Sequence, residues 1–357
     1  MPLKRLNVNL TFSIPEKKRR NQPIFQKSTI FARTNYEVHY SMISRRIIRT
    51  KVLQVLYAYY TSPEKSISNT EKELFFCIQK SYDLYHYLMA LVLEIADYAE
   101  NRIEIRRNKH QPTHEDIHPN TKFISNLVIQ QLRSNKQLNT YLNQRKLSWV
   151  NDPELIKELY LFMIESDFYE EYMTNKTSSY MNDRKFIEKL FNKIILVAED
   201  LYIVLEEQSI YWNDDVEFVI SMIVKTLKKF NEYSDSDQRL MPMYKDQEDR
   251  EYAKDLIRKS IVNHNELQEL IKEHSKNWDV DRIAFMDTLI MQLAITEFLF
   301  FPSIPTKVSL NEYIELSKYY STEKSRNFIN GILDKTLKDL KRLGKINKLG
   351  RGLIGES

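Results

Sequence analysis

Apolar residues recur at steps of three and four along most of the chain, the spacing of one face of an α-helix. In the last seventy residues this pattern predicts three successive helices. The first ends before Pro302 and Pro305, because proline interrupts a helix. Ser309 and Glu312, at capping-box spacing, are expected to begin the second. The apolar stripes of the first and third helices consist of Met286, Leu289, Ile290, Leu293 and Ala294, and of Phe328, Ile329, Ile332, Leu333 and Leu337.

Residues 42–60 carry a further apolar stripe and predict another helix, with Ser44 as its N-cap. Its first two turns are crowded with cations, namely Arg45, Arg46, Arg49 and Lys51. Cations at that end oppose the helix macrodipole, at a cost of about 0.3–1 kcal/mol each when exposed. This unfavourable placement suggests an anionic ligand outside the helix, and the alternative is a solvated basic helix end.

A long apolar helix is expected from about residue 71 to residue 105, with further helices at 123–142 and 153–172. Between them lies a polar loop that contains His110, His114 and His118. Pro112 and Pro119 interrupt any helix that would present these histidines on one face, and neither a cysteine nor a second histidine cluster completes a ligand set. The pattern therefore favours a loop without a metal site.

Residues 186–220 can be aligned without gaps on a second segment that starts at Tyr252. The matching positions are Leu190 and Leu256, Ile195 and Ile261, Leu201 and Leu267, Glu207 and Glu273, Ser209 and Ser275, Trp212 and Trp278, and Asp215 and Asp281. The agreement favours a duplicated helical unit, although two amphipathic hairpins could share some of these positions by chance. The polar segment 231–250, with its single proline, is predicted to be a linker.

Glycine usage sharpens the fold prediction. All five glycines of the 357-residue chain lie after residue 330. Tight β-hairpin turns and phosphate-binding loops usually require glycine, so neither is expected in residues 1–330. An all-α fold is the consequence. Gly331, directly after Asn330, is expected to allow the close approach of another helix.

Charge is distributed unevenly along the chain. Residues 1–41 carry about +6 and residues 335–357 about +5, which leaves about −7 for the body of a protein whose net charge is +4. Residues 1–41 are therefore interpreted as a basic disordered extension, or as a mis-assigned start before Met42, and residues 341–357 as a basic flexible tail. Bulk charge does not indicate nucleic acid, so only local basic clusters carry that case.

The sequence predicts a cytoplasmic protein that is not an enzyme. No apolar run approaches the about 18 residues of a membrane span, and no signal-like start is present. No phosphate-binding, metalloprotease or nucleophile-elbow motif is found, and the single Cys77 lies in an apolar helix. Neither a metal nor a cofactor is expected.

The stretch from Trp278 to Lys335 resembles the C-terminal half of the NusB family of transcription antitermination factors. The resemblance rests on a W-x-x-x-R motif, on A-x-x-E at Ala294 and Glu297, on I-P-x-K-V-x-x-N-E-x-I-E-L-x-K from residue 304, and on N-F-I-N-G-I-L-D-K. The first helix is similar to that of the family as well, through Arg49, Leu53, Gln54, Leu56 and Tyr57. Glu297 and Asn311 are expected to hold backbone groups together.

The resemblance implies a NusB-type helical bundle of two subdomains. Its first, arginine-rich helix would be residues 42–61 and its C-terminal bundle residues 245–340, with a helical insertion at 62–244 that the shorter family members lack. The family's roles, carried over to this chain, give RNA contacts to Arg45, Arg46, Arg49, Lys51, Lys324 and Phe328. They give partner contacts to Asp287 and Tyr57.

The implied function is RNA-binding antitermination on ribosomal RNA operons. The resemblance implies three partners, which are boxA-like single-stranded RNA, the small-subunit ribosomal protein NusE and the RNA polymerase antitermination complex. Two alternatives remain, an accessory module that binds ribosomal RNA and a helical protein–protein scaffold without RNA binding. The preferred RNA sequence, the oligomeric state, the role of the insertion and the translation of residues 1–41 stay open.

Overall fold

The computed structural model describes residues 41–275 and 284–355, and these ranges form fifteen α-helices and no β-strand. The all-α prediction is confirmed. Residues 1–40, which make up nearly all of the predicted basic extension, and the W-x-x-x-R motif at Trp278 lie outside the described residues. The helices are α1 (Arg45–Thr61), α2 (Ile67–Arg107), α3 (His114–Ile117), α4 (Leu127–Ser134), α5 (Lys136–Arg145), α6 (Pro153–Ile164), α7 (Asp167–Thr174), α8 (Tyr180–Lys193), α9 (Glu199–Gln208), α10 (Val216–Leu227), α11 (Gln247–Val262), α12 (His264–His274), α13 (Phe285–Phe300), α14 (Thr306–Tyr320) and α15 (Glu323–Arg342).

The 41-residue helix α2 is the longest element and spans about 60 Å. It contains neither glycine nor proline, and Ser66 caps its start. The positive charges of Arg106 and Arg107 in its last turn interact favourably with the negative end of the helix macrodipole. Its first part packs against α1 and α11, its middle against α10, and its last part against α4 and α6. The helix thus joins the predicted insertion to the C-terminal bundle.

Helix α13 is the centre of the C-terminal bundle. Every residue from Leu289 to Phe298 is buried, polar ones included, as expected of a helix that is surrounded on all sides. Helices α1, α11, α12, α14 and α15 all pack against it. Any polar side chain of α13 must therefore find its partner inside the protein.

The predicted linker at 231–250 is partly buried rather than free. Leu240 and Met241 belong to the core, and the hydroxyl of Tyr82 on α2 donates to the carbonyl of Met241 at 2.9 Å. The backbone amide of Met42 donates to the carbonyl of Pro242 at 2.8 Å. The segment does connect α10 to α11, but its apolar residues pack against α2 and its backbone bonds to the start of the described chain.

Helix α14 begins at Thr306, directly after Pro305, and not with a capping box at Ser309. Proline has a φ angle suited to a helix start and no N–H that needs a partner, so the helix can begin at the residue that follows it. Ser309 and Glu312 lie inside the helix, where their side chains are available for other contacts.

The segment after α15 folds back onto the bundle, although a flexible tail was expected from residue 341. The amide of Leu349 donates to the carbonyl of Pro302 at 2.9 Å. The buried ammonium of Lys348 lies 3.2 Å from the carbonyl oxygen of Glu297 and 2.9 Å from that of Phe301. The Phe301 carbonyl lies at the end of α13, where a helix leaves acceptors without intrahelical partners. The Glu297 carbonyl also accepts from the backbone amide of Phe301 at 3.3 Å. The tail thus supplies a donor to the end of α13, and we call residues 345–355 the C-terminal segment.

The helices on either side of residue 240 succeed one another in a repeated order. Helices α8, α9 and α10 begin at residues 180, 199 and 216, and α11, α12 and α13 begin at residues 247, 264 and 285. This similar spacing is what the predicted duplication requires. Two of the matched positions, Trp278 and Asp281, lie outside the described residues.

Among the residues that the structure describes, none of the helices combines the length and the apolar character needed to cross a membrane.

The two glycines Gly352 and Gly331 make a matched pair for testing the docked segment. A Cβ at Gly352 would lie 1.9 Å from the carbonyl oxygen of Pro302, whereas a Cβ at Gly331 would meet nothing within 4 Å. The prediction that Gly331 allows the close approach of another helix was therefore wrong. We expect Gly352→Ala to lower the stability by about 1–3 kcal/mol, because overpacking displaces the backbone. Gly331→Ala should raise it by about 0.5–1 kcal/mol, because alanine is the better helix former.

Thermal unfolding, combined with limited proteolysis of the last residues, measures both effects. Equal stability of the two variants, with the C-terminal segment still protected from the protease, would contradict the docking.

Candidate nucleic-acid interface

An open groove of about 430 Å³ lies between the start of α1, the start of α14 and the C-terminal segment. Its charged walls consist of four arginines and one glutamate. The lining residues are Ser44, Arg45, Arg46, Arg49, Ser303, Ile304, Pro305, Val308, Glu312, Arg351 and Ile354. Three of the four arginines are those that the sequence analysis singled out on the first helix.

Arg45 and Arg46 lie at the mouth of the groove, and each is paired with a carboxylate. The Nε of Arg45 donates to Asp249 at 2.9 Å. Nε and Nη2 of Arg46 donate to the two oxygens of Glu312 at 3.0 and 2.7 Å, and this hydrogen bonding raises the pKa of Arg46 above its ordinary value. The side chain of Arg46 is 62% exposed. Exposed pairs of this kind contribute at most about 1 kcal/mol, so another anion can replace the carboxylate.

Arg49 lies one turn further along α1 and forms the floor of the groove, with only 4% of its side chain exposed. Its Nε and Nη2 donate to the two oxygens of Glu297 at 2.7 and 3.0 Å. Its Nη1 lies 3.4 Å from Glu312. This bidentate pair is buried, so neither charge can be left without the other.

Three hydroxyl groups complete the surroundings of the Glu297 carboxylate. Ser309 and Tyr313 on α14 donate to it at 2.7 and 2.8 Å, and Tyr252 on α11 donates to it as well. We call Glu297, Arg49 and these three hydroxyl residues the Glu297 cluster. It joins α1, α11, α13 and α14 through one carboxylate.

The cluster remains charged at neutral pH. Burial is the largest effect on Glu297 and would raise its pKa, but the charge and hydrogen bonds of Arg49, with those of Tyr252 and Ser309, lower the pKa below its ordinary value. Burial would likewise lower the pKa of Arg49, yet electrostatic interactions with Tyr252 and Glu297 raise it well above the usual arginine value. The result is a fully ionised pair inside the protein.

Lys51 points away from the groove because two residues along a helix turn the side chain by about 200°. Its buried ammonium lies 2.9 Å from Asp215 and donates to the carbonyl of Tyr211 at 3.2 Å. Arg49 and Lys51, both expected to contact RNA, are thus enclosed and paired with buried carboxylates in this structure. The physical reason is that the anions suggested by the basic helix end are supplied by the protein itself.

Lys324 and Phe328 do not line the groove. They lie in the first two turns of α15, which comes after the end of α14. Helices α1 and α14 run in the same direction, because Arg46 bonds to the second turn of α14 and Gln54 bonds to its last residue. The two predicted RNA contacts are therefore near the far end of α14, where Lys324 is exposed and Phe328 is half-buried.

Asp287, expected to face a partner protein, is only 3% exposed and accepts a hydrogen bond from the hydroxyl of Ser321. Tyr57 is half-buried, and its ring centroid lies 5.6 Å from that of Phe285. Phe285 itself is exposed. At this place the structure offers an aromatic surface rather than a carboxylate.

Sequence reasoning missed Glu312 and Arg351 as residues of the groove and Asp249 as the partner of Arg45. It assigned them to a capping box, a flexible tail and a linker. The four unmatched cations at the start of α1 were a signal that anions had to lie nearby. The identity of these anions could not be read from the sequence, because the partners are about 160 residues or more away along the chain.

The structure also locates the other candidate residues of the sequence, namely the cysteine and the histidines. Burial raises the pKa of the Cys77 thiol to about 12, so it stays protonated. Within the described ranges, no group of three or more His, Cys, Asp or Glu residues is arranged to hold a metal ion. His114 and His118 are near each other, with ring centroids 4.8 Å apart.

The Glu297 cluster predicts very different costs for two neighbouring arginines. Arg49→Met leaves a buried carboxylate without its cation and should lower the stability by about 3–5 kcal/mol. Arg46→Met, on the same helix and also paired with a glutamate, should cost less than about 1 kcal/mol because its pair is exposed. Urea unfolding, read as the shift of the midpoint at constant slope, measures both. Equal costs would show that the cluster does not hold α1 in place.

Comparison with known proteins adds a family to this geometry. The model of the NusB family matches residues 217–338. A transcription antitermination protein NusB from Salinibacter ruber is 41% identical over 140 residues, which cover 37% of this chain and 87% of the relative. The protein of the same name from Chloroherpeton thalassium is 43% identical over 99 residues, which cover 28% of this chain and 47% of the relative. The one from Natranaerobius thermophilus is 41% identical over 92 residues, which cover 26% of this chain and 66% of the relative. No solved structure matches the chain.

The matched range begins in the first turn of α10 and ends within α15. The boundary predicted at residue 245 therefore lies inside the match, and the C-terminal segment lies beyond it. These three relatives are named as transcription antitermination proteins and not as enzymes, in agreement with the prediction for this chain. Because the Salinibacter ruber protein is matched over most of its length at 41% identity, this chain belongs to the NusB family.

Proposed function

We propose that this protein is a transcription antitermination factor that binds RNA in the arginine-lined groove. The observation that carries the proposal is the presence of exposed arginines at the mouth of an open groove in a member of the NusB family. Its relatives are named for transcription antitermination. The groove is the place on the family's helices where this chain offers several guanidinium groups to one ligand.

Single-stranded RNA is the ligand that suits the groove. Its phosphates bind arginine by bidentate hydrogen bonds, and its unpaired bases leave edges and faces exposed. Arg46 already makes a bidentate bond to the Glu312 carboxylate, so a phosphate that enters replaces one oxyanion with another. Arg49 below is held by Glu297 and keeps Arg45 and Arg46 at a fixed position on α1.

The RNA in this proposal is a boxA-like segment from the leader of a ribosomal RNA operon, bound in the cytoplasm. It would extend from the groove along α14 to Lys324 and Phe328, over about 20 Å, the length of that helix. At that end the aromatic ring can stack on a base and the lysine can approach a phosphate. Both residues are thus retained as contacts, separate from the groove.

The proposed protein partner is NusE, and the complex would act on RNA polymerase. The body of the chain between residues 42 and 334 has a net charge of about −7, which complements a basic ribosomal protein. We place the contact at Tyr57 and Phe285, because Asp287 is bonded to Ser321 and enclosed. Exposed aromatic side chains are typical anchors of protein interfaces.

RNA binding is tested with the double variant Arg45→Gln/Arg46→Gln. At low salt its affinity for single-stranded boxA-like RNA should fall by about tenfold or more, and the loss should shrink as salt is added, because phosphate contacts release counterions. Fluorescence anisotropy with the labelled RNA and a scrambled RNA gives both values.

The matched control is Arg106→Gln/Arg107→Gln, which removes the same charge from two exposed arginines in the last turn of α2 that do not line the groove. Equal losses for the two variants would reduce the binding to unspecific attraction. Unchanged binding in the first variant would overturn the proposal.

The NusE contact is tested with Phe285→Ala, which should weaken binding of purified NusE about tenfold if the ring is an anchor. Phe162→Ala on α6, in the predicted insertion, removes an equally exposed phenylalanine and should leave binding unchanged. Isothermal titration calorimetry measures both affinities. If the Phe162 variant loses affinity and the Phe285 variant does not, the partner binds to the insertion instead.

A further inference from the structure

The C-terminal segment supplies one wall of the groove. Arg351 and Ile354 are among the lining residues, although both lie beyond the range that the family model matches. This wall is therefore built by residues outside the matched family range. It is held in place by the buried Lys348 and by the backbone bond from Leu349 to Pro302.

The position of Arg351 depends on the glycine next to it. Gly352 is buried against the Pro302 carbonyl, so close that a Cβ would lie 1.9 Å from its oxygen. Gly350, on the other side of Arg351, has a φ of +55°, a conformation that glycine adopts without strain. The backbone before and after Arg351 thus fits only a narrow set of residues, and it directs the arginine to the groove.

Arg351 adds an exposed cation whose contact with a carboxylate is long. Its side chain is 73% exposed, and its Nη2 lies 3.7 Å from Glu248. The same oxygen of Glu248 lies 3.7 Å from the Nη2 of Arg45, so one carboxylate is shared by two guanidinium groups. At that distance neither contact is a hydrogen bond. A phosphate could therefore approach both arginines from the solvent side.

We propose that Arg351 is a phosphate-contacting residue of the RNA site, positioned by the packing of Gly352 against Pro302. The ligand is a phosphodiester of single-stranded RNA, held between Arg351 and Arg45. The C-terminal segment is then part of the binding site and not only a cover for the end of α13. This inference rests on the proposed RNA-binding function, because it adds a contact to the same groove.

The first experiment compares Arg351→Gln with Arg342→Gln. Arg342 lies at the end of α15, is 75% exposed and does not line the groove, so the two variants lose the same charge at equal exposure. With labelled boxA-like single-stranded RNA, Arg351→Gln should weaken binding about fivefold to tenfold at low salt, as expected for one charge-assisted contact. The slope of log K against log salt should fall by about 0.7, the value for one phosphate contact with a single strand. Arg342→Gln should change neither.

The second experiment tests the positioning role of Gly352 by a double-mutant cycle. Gly352→Ala should weaken RNA binding to the same extent as Arg351→Gln, and the combined variant should be no weaker than either single variant. Gly331→Ala is the control for an alanine placed in the same region without a clash. Additive losses would mean that Arg351 and Gly352 act independently, which overturns the positioning role.

Arg46→Gln separates the failure of this inference from the failure of the proposed function. If Arg46→Gln weakens RNA binding and Arg351→Gln behaves like Arg342→Gln, the groove binds RNA but Arg351 is not a contact. If none of these variants differs from the unaltered protein, the groove is not an RNA site. If Arg351→Gln and Arg342→Gln weaken binding equally, the tail only attracts RNA through its charge, and the inference is wrong.

Discussion

The burial of one carboxylate, that of Glu297, is the constraint on which the C-terminal bundle depends. A charge enclosed in a protein must be matched by a cation and by hydrogen bonds, or its desolvation is not compensated. Here the cation is Arg49 from α1, and the hydroxyls come from α11 and α14. All four helices therefore contribute to the surroundings of Glu297. The first helix, far away in the sequence, is thereby fixed against the last part of the chain.

The same constraint shapes the proposed RNA site. The buried pair of Arg49 with Glu297 fixes the position of helix α1. The more exposed Arg45 and Arg46 on the same helix are thereby held at the mouth of the groove. Each of these has a carboxylate partner, which offsets the repulsion between neighbouring cations and their unfavourable position at the helix start. The Arg46–Glu312 pair is exposed and weak, so in the proposed site RNA would replace Glu312 at Arg46 while the buried Arg49–Glu297 pair stays intact. Folding and binding thus use adjacent arginines for different purposes.

A second buried ion pair holds α1 against the segment before α10 and against α2. Lys51 of α1 pairs with Asp215, just before α10, and the Asp215 carboxylate also accepts from Ser81 of α2. Helix α1 therefore lies between two buried pairs, one towards the bundle and one towards α2. Beyond this contact the long helix α2 packs against several of the helices between residues 114 and 208.

The sequence by itself determined the all-α class and the family, whereas the predicted helices at 123–142 and 153–172 each proved to be two helices. Three- and four-residue periodicity and the absence of glycine before residue 331 depend only on local preferences, and motifs at fixed spacing can be read directly. It also located the cations of α1, although not their partners. Only the tertiary structure decided that Arg49 and Lys51 are enclosed, that Asp287 is bonded to Ser321, and that Arg351 returns to the groove. Exposure and ion pairing are set by which distant segments meet, and that depends on the packing of all helices together.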